Sequence, residues 1–198
     1  MTFIDHSAHI QASNMAGDKG MANAEIRARR GSPWRAVGWT LAGLVLLVPL
    51  VAMQFTREVN WTVGDFIFAG MLIGLVGLVL ELTVRASRIP AYRGGVAAAL
   101  AASFLIIWVN GAVGMIGDEG SRYTVLFLGV IGVALFGAII ARFRAAGMAR
   151  AMLVAAIAHG AIAVGGMPID LRGGILSLCF AAIWLLSAAL FRKAAREG

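Results

Sequence analysis

The fold is decided by long apolar runs, and the clearest of them, residues 97–109, reads AAALAASFLIIWV. Residues 41–50, LAGLVLLVPL, form a second run of this kind. Neither run alternates polar and apolar side chains, as a strand of a transmembrane barrel does. With its flanks, each run can cross about 30 Å of hydrocarbon as a helix that rises about 1.5 Å per residue. These stretches therefore predict transmembrane helices.

Outward from these two stretches, six apolar runs occupy most of the chain after residue 35. They lie at residues 36–54, 63–84, 94–116, 124–141, 149–167 and 173–191. The bilayer core offers no water, so backbone N–H and C=O groups there must bond within their own segment, as they do in a helix. The predicted fold class is all-α, a polytopic membrane protein with six transmembrane helices in a bundle.

The composition excludes an ordinary soluble domain. The chain of 198 residues is 60% hydrophobic and 14% charged, whereas soluble domains are roughly 45–50% apolar and about 25% charged. The formal net charge of +7 could point to nucleic acid, but the basic residues occur in small clusters at the ends of the apolar runs. That spacing fits lipid headgroups. We therefore expect the lipid bilayer, and no nucleic acid, as the partner.

The segment before the first run differs from the rest of the chain. Residues 1–34 are mostly polar or small and include His6 and His9, whose metal signal is weak. This composition predicts a mobile cytoplasmic tail, followed by a six-helix transmembrane domain over residues 35–198. A cleaved secretory signal is not expected, because the first apolar run begins only after Arg35 and continues for a full span.

The orientation follows from the Lys and Arg residues in alternate connectors. One set of connectors holds only Arg57, Arg122 and Arg172 of the 17 basic residues, which leaves 14 for the tail, the other connectors and the carboxyl terminus. Basic residues accumulate on the cytoplasmic side of membrane proteins. The asymmetry predicts that both termini are cytoplasmic.

Two segments carry a family resemblance. One runs from Val51-Ala52-Met53-Gln54-Phe55-Thr56 through Val59-Asn60-Trp61-Thr62 and Asp65-Phe66 to Gly70, and the other from Gly147-Met148-Ala149-Arg150 to Leu190-Phe191-Arg192. In these residues the chain resembles a family of uncharacterised six-span bacterial inner-membrane proteins. The resemblance implies location in the bacterial plasma membrane and implies no activity.

Three polar residues inside the apolar runs are candidates for function, namely Glu81, Asn110 and His159. Ionisable groups within a span are expensive and are functional candidates by default. Glu81 is one helical turn before Arg85, which favours an ion pair over a proton relay. Asn110 and His159 lie on helix faces made mainly of small residues, so we expect them to point inward and to form interhelical hydrogen bonds.

Two further patterns at the second span predict structure. Thr62 and Asp65 have the spacing of a helix cap in which each residue bonds to the backbone of the other. Gly70, Gly74 and Gly77 share one face of the span with Glu81, and small residues at this spacing let another helix approach closely. We interpret the three glycines as a helix-packing face within the bundle or at a dimer seam.

The sequence contains no catalytic constellation. It has no glycine-rich phosphate loop, no nucleophile elbow and no paired metal-ligand motif, and its single cysteine, Cys179, lies inside an apolar run. We expect no enzymatic activity, no cofactor and no metal. The leading hypothesis is a small non-enzymatic membrane subunit or assembly partner, which forms a homo-oligomer or a larger complex through Gly and Ala faces. The alternative is a small transporter or proton-coupled carrier that uses Glu81, Asn110 and His159.

Overall fold

The computed structural model describes Met15 and residues 33–56, 60–112, 114–117 and 121–198. Over this part of the chain it contains six long helices and no strand, and all six helices are long and apolar enough to cross a membrane. They are α1 (Pro33–Phe55), α2 (Val63–Ala86), α3 (Pro90–Ala112), α4 (Arg122–Ile140), α5 (Ala145–Gly166) and α6 (Leu171–Glu197). The all-α, six-helix prediction is confirmed. The predicted tail, residues 1–34, lies outside the described residues apart from Met15 and the start of α1.

The exposure pattern is that of a membrane protein. On α4, Phe136 and Ile140 are 68% and 81% exposed, whereas Ala134 and Ala138 are each 5% exposed. Water would favour the opposite arrangement, with the large apolar side chains inside. In a bilayer the lipid tails solvate large apolar side chains, and small residues are preferred where helices touch.

The chain divides into two units, residues 1–70 and 71–198. The first unit contains α1 and the start of α2. In the connector between these helices, Trp61 packs edge-on against Phe66 with ring centroids 5.2 Å apart. This aromatic pair lies beside Thr62, just before the first turn of α2.

The second unit contains the rest of α2 and helices α3 to α6. Helix α6 packs along α5 and along α3, and α4 packs on α5. The aromatic side chains of Phe127, Trp184 and Phe191 are fully buried between these helices. Helix α6 therefore contributes two of the three largest core side chains and contacts both of its neighbours extensively.

Small residues set how closely these helices approach. A Cβ on Gly95 of α3 would lie 3.0 Å from the Phe191 ring of α6, and one on Gly137 of α4 would lie 2.6 Å from the Cβ of Ala151 on α5. Only glycine avoids these overlaps without a shift of the neighbouring side chain. The helices are consequently held at a distance that larger residues at these positions would prevent.

The third predicted span ends earlier than the sequence suggested. The apolar run continues to residue 116, but the helix ends at Ala112, and Gly114 adopts a φ of +73°. This left-handed conformation suits glycine and ends the helix. The chain then turns inward, because Ile116 is fully buried against Gly166, the last residue of α5. Hydrophobicity after Ala112 thus reflects a buried loop and not a longer helix.

Substitution of Gly137 should test the close approach of α4 and α5. We expect Gly137→Val to lower the free energy of unfolding by about 1–3 kcal/mol, the usual cost of overpacking a tight contact. Gly132→Val is the matched control on the same helix, because a Cβ there meets no atom within 4 Å in the described structure. Thermal unfolding in mild detergent measures both variants, and equal stabilities would contradict the proposed contact.

Candidate functional site

The polar side chains of α3 and α6 meet near one end of the second unit. These helices run antiparallel. The Ser187 hydroxyl in the second half of α6 donates to the Gly95 carbonyl near the start of α3 at 2.7 Å, and Gly173 at the start of α6 lies against the Met115 carbonyl just after α3. Counting equal steps along both helices from the contact of Ser187 with Gly95 brings Asn110 to the first two turns of α6. Ser177 lies in those turns, so Asn110 and Ser177 lie toward the same end of the unit.

His159 of α5 and Thr124 of α4 lie toward this end of the unit as well. A Cβ on Gly174 would touch Met167 and the Ala163 carbonyl of α5, which places His159 one turn further along and opposite Ser177. The Phe127 ring lies 4.8 Å from the His159 imidazole between ring centroids. Thr124 is one turn before Phe127. We call Asn110, Thr124, His159 and Ser177 the polar layer.

The polar layer is closed off and incompletely hydrogen-bonded. His159 and Ser177 are fully buried, and Asn110 is 3% exposed. Both His159 nitrogens, Asn110 Oδ1, Thr124 Oγ1 and Ser177 Oγ have no hydrogen-bond partner among the described residues. A buried polar group without a partner costs about 1–3 kcal/mol, and native proteins usually meet that need with ordered water. The layer thus contains donors and acceptors suited to water or to a small neutral ligand.

The expected interhelical hydrogen bonds are not the ones observed. Asn110 Nδ2 donates to the Ile106 carbonyl of its own helix at 2.8 Å, and no bond joins Asn110 to His159. His159 instead packs against the Phe127 ring. The interhelical side-chain bonds found instead include those from Ser187 to the Gly95 carbonyl, from Tyr123 to the Gly165 carbonyl and from Arg93 to the Val84 carbonyl.

Glu81 lies far from the polar layer. Its carboxylate pairs with Arg85 Nε at 2.8 Å, one turn along α2. Arg93 at the start of α3 donates to the Val84 carbonyl of α2 at 2.9 Å. Glu81 is three residues before Val84, so it lies near the start of α3. Asn110 is about 25 Å further along α3 than Arg93, from the rise of about 1.5 Å per residue. The structure brings Asn110 and His159 toward one end of the unit and leaves Glu81 near the opposite end.

Thr62 and Asp65 bond reciprocally at the start of α2. The Thr62 amide and hydroxyl donate to Asp65 Oδ2 at 2.7 and 2.8 Å, and the Asp65 amide faces Thr62 Oγ1 at 3.4 Å. This is the geometry of a capping box. The Asp65 carboxylate is engaged in this cap, so Asp65 stabilises the first turn of α2.

The three glycines of the predicted packing face differ from those that hold the second unit together. A Cβ added to Gly70 or to Gly74 meets no atom of the described structure within 4 Å, and Gly77 is half-buried. Gly70 and Gly74 therefore have room for a side chain in the described structure. We call these two residues the open glycine face.

Sequence reasoning missed Ser177, Thr124 and Trp184. Trp184 Nε1 is also unpartnered among the described residues, and Trp184 lies two turns beyond Ser177 on the same face of α6. The spacing of seven residues between Ser177 and Trp184, two helical turns, is the one sequence signal that could have linked these two residues. Ser and Thr in apolar helices commonly bond to a carbonyl of their own helix, so their presence alone indicates nothing.

The described residues contain no group of three or more His, Cys, Asp and Glu side chains placed to hold a metal ion. No protein-family model matches the chain, and neither a curated protein nor a solved structure is similar to it. The resemblance to six-span bacterial inner-membrane proteins stays a prediction.

Two buried serines on α6 offer a matched test of the hydrogen-bond assignments. We expect Ser187→Ala to lower the free energy of unfolding by about 0.6 kcal/mol and at most about 1.7, the range for interhelical bonds in membranes. Ser177→Ala should cause no loss, because its hydroxyl has no partner among the described residues. Thermal unfolding in detergent compares the two variants, and a larger loss for Ser177→Ala would contradict the assignment.

Proposed function

We propose that this chain is a small, non-enzymatic membrane subunit or assembly partner of the bacterial inner membrane. The observation that carries the proposal is the open glycine face of α2. Six apolar helices provide the membrane anchor, and the open glycine face provides a place where a second transmembrane helix can approach closely. The partner is another copy of the chain or a different membrane protein.

The glycine content of α2 supports this proposal energetically. Glycine within a helix is about 1 kcal/mol less favourable than alanine. Gly95 and Gly137 offset that cost by letting neighbouring helices of the same chain pack closely. Gly70 and Gly74 have no such contact within the described chain. Packing against a partner helix would supply the missing compensation.

The carrier hypothesis is weaker because its three residues are divided. Asn110 and His159 share the polar layer, whereas Glu81 pairs with Arg85 near the opposite end of the unit. A proton path between them would need a long chain of water. Assembly requires no such path, and we therefore favour it.

We further propose that both termini are cytoplasmic. Basic residues are concentrated at the connectors and ends that this orientation places inside. Among them, Arg142 and Arg144 lie between α4 and α5, and Arg192 and Lys193 lie in the last turns of α6. All four are exposed. The orientation would bring them to the anionic surface of the cytoplasmic leaflet.

Blocking the open glycine face should release the partner. We expect the tagged wild-type chain, crosslinked in native membranes and purified in mild detergent, to migrate as a species larger than one chain. Gly74→Leu should shift it to the size of one chain, because a leucine prevents close helix approach. Gly160→Leu on α5 is the matched control, since a Cβ there also meets no atom within 4 Å.

Equal abundance of the three proteins in the membrane would show that the shift reflects lost association and not degradation. A wild-type chain that migrates only as a single chain would contradict the proposal. Persistence of the large species in Gly74→Leu would show that the open glycine face is not the contact.

A further inference from the structure

A groove runs along the surface between α4 and α5. Its volume is about 860 Å³. Its lining includes Gly129 and Gly132, which we call its floor, and Phe136 and Val154, which we call its sides. Arg150 also lines it, in the half that is nearer to the connector between α4 and α5. The lining of the groove is apolar except for the positively charged Arg150. An amphiphile, which has an apolar chain and a polar headgroup, matches such a lining.

The groove exists because the two helices meet closely at one end and lack side chains further along. Gly137 of α4 approaches Ala151 of α5 closely, and Gly147 of α5 approaches Ala141 at the end of α4 closely. A Cβ on Gly129 or Gly132 would meet no atom of the described structure within 4 Å. No side chain among the described residues of the second unit fills this space.

The sides of the groove are exposed at the surface of the second unit. Phe136 is 68% exposed and Val154 is 54% exposed. In a bilayer, an apolar groove that opens sideways meets only the acyl chains of lipids. An acyl chain therefore fits the floor and sides, where a polar ligand would lose its hydrogen bonds.

The charged end of the groove has unbalanced positive charge. Arg150 is exposed and forms neither a hydrogen bond nor an ion pair with any residue in the described part of the chain. Arg142 and Arg144 belong to the turn that joins the two helices at this same end, and they are likewise exposed and unpaired among the described residues. Three guanidinium groups so arranged attract an anion.

The turn that presents these arginines is fixed in place. Arg142 and Phe143 have φ values of +49° and +57°, a left-handed conformation that L side chains rarely adopt. The Phe143 amide donates to the Ala138 carbonyl at 3.1 Å, and the Tyr92 hydroxyl of α3 donates to the Phe143 carbonyl at 2.8 Å. These bonds hold the turn, with its arginines, at the end of the groove.

We propose that the groove between α4 and α5 binds an acidic phospholipid. One acyl chain lies along Gly129 and Gly132, and Arg150 binds the phosphate. Arg142 and Arg144 add positive charge that favours a headgroup with net negative charge over a zwitterionic one. The site does not depend on the open glycine face of α2 or on the proposed assembly.

The test uses the purified full-length chain, stripped of lipid in detergent. Dioleoyl phosphatidylglycerol and dioleoyl phosphatidylcholine are titrated separately, and binding is measured by native mass spectrometry and by thermal stabilisation. Inorganic phosphate is the third ligand, because it offers the anion without the acyl chain. We expect phosphatidylglycerol to bind at least about fivefold more tightly than phosphatidylcholine. One arginine near an anionic headgroup contributes a preference of about this size.

Two variants separate the headgroup contact from the acyl-chain contact. Arg150→Gln should lower the ratio of phosphatidylglycerol affinity to phosphatidylcholine affinity about fivefold, which is the contribution of one basic residue near an anionic headgroup. Gly132→Leu should weaken binding of both lipids by filling the floor, where the structure has room for a side chain. Arg172→Gln, at the start of α6, is the charge-matched control and should leave both affinities unchanged.

Several results would overturn the proposal. They are equal affinity for the two lipids, stabilisation by inorganic phosphate equal to that by phosphatidylglycerol, and an equal effect of Arg150→Gln and Arg172→Gln. Unchanged lipid binding by Gly132→Leu would show that the groove is not the site. Arg150→Gln changes an exposed side chain, so it tests the headgroup contact even if Gly132→Leu fails to fold.

Discussion

The absence of water in the bilayer core is the constraint on which this structure depends. Every backbone N–H and C=O at membrane depth must find its partner inside the protein, and a helix meets that need within one segment. The six helices, from α1 (Pro33–Phe55) to α6 (Leu171–Glu197), satisfy it over 19 to 27 residues each. Once the backbone is satisfied, side chains decide only how the helices pack and what the outer surface binds.

The packing divides the glycines into two groups with different consequences. Gly95 and Gly137 touch neighbouring helices of the same chain and hold the second unit together. Gly74 and Gly132 meet nothing in the described structure, and they lie on surfaces that we assign to a partner helix and to a lipid. In this protein the same residue type stabilises the interior and leaves room on the exterior. Function is consequently expected at the lipid-facing surface, while the polar layer is closed inside.

The sequence predicted the number and approximate positions of the helices because hydrophobicity and length suffice for that purpose. It failed at the end of α3, since an apolar loop and an apolar helix have the same composition, and only the left-handed conformation of Gly114 distinguishes them. Of the four residues in the polar layer, the sequence indicated two. Asn110 and His159 stand out in an apolar run, whereas Thr124 and Ser177 do not. Which helices meet depends on close contacts such as that between Gly137 and Ala151, which no local pattern encodes.

The six-span arrangement is tested most directly by reporter fusions in living cells, with one reporter active only in the cytoplasm and one active only outside it. Fusions before Trp34 and after Gly198 should give the cytoplasmic signal, and insertions at Asn60, Glu119 and Asp170 should give the external one. This alternation requires all six helices to cross the membrane. An external carboxyl terminus would contradict the six-span arrangement, together with the orientation proposed from the basic residues.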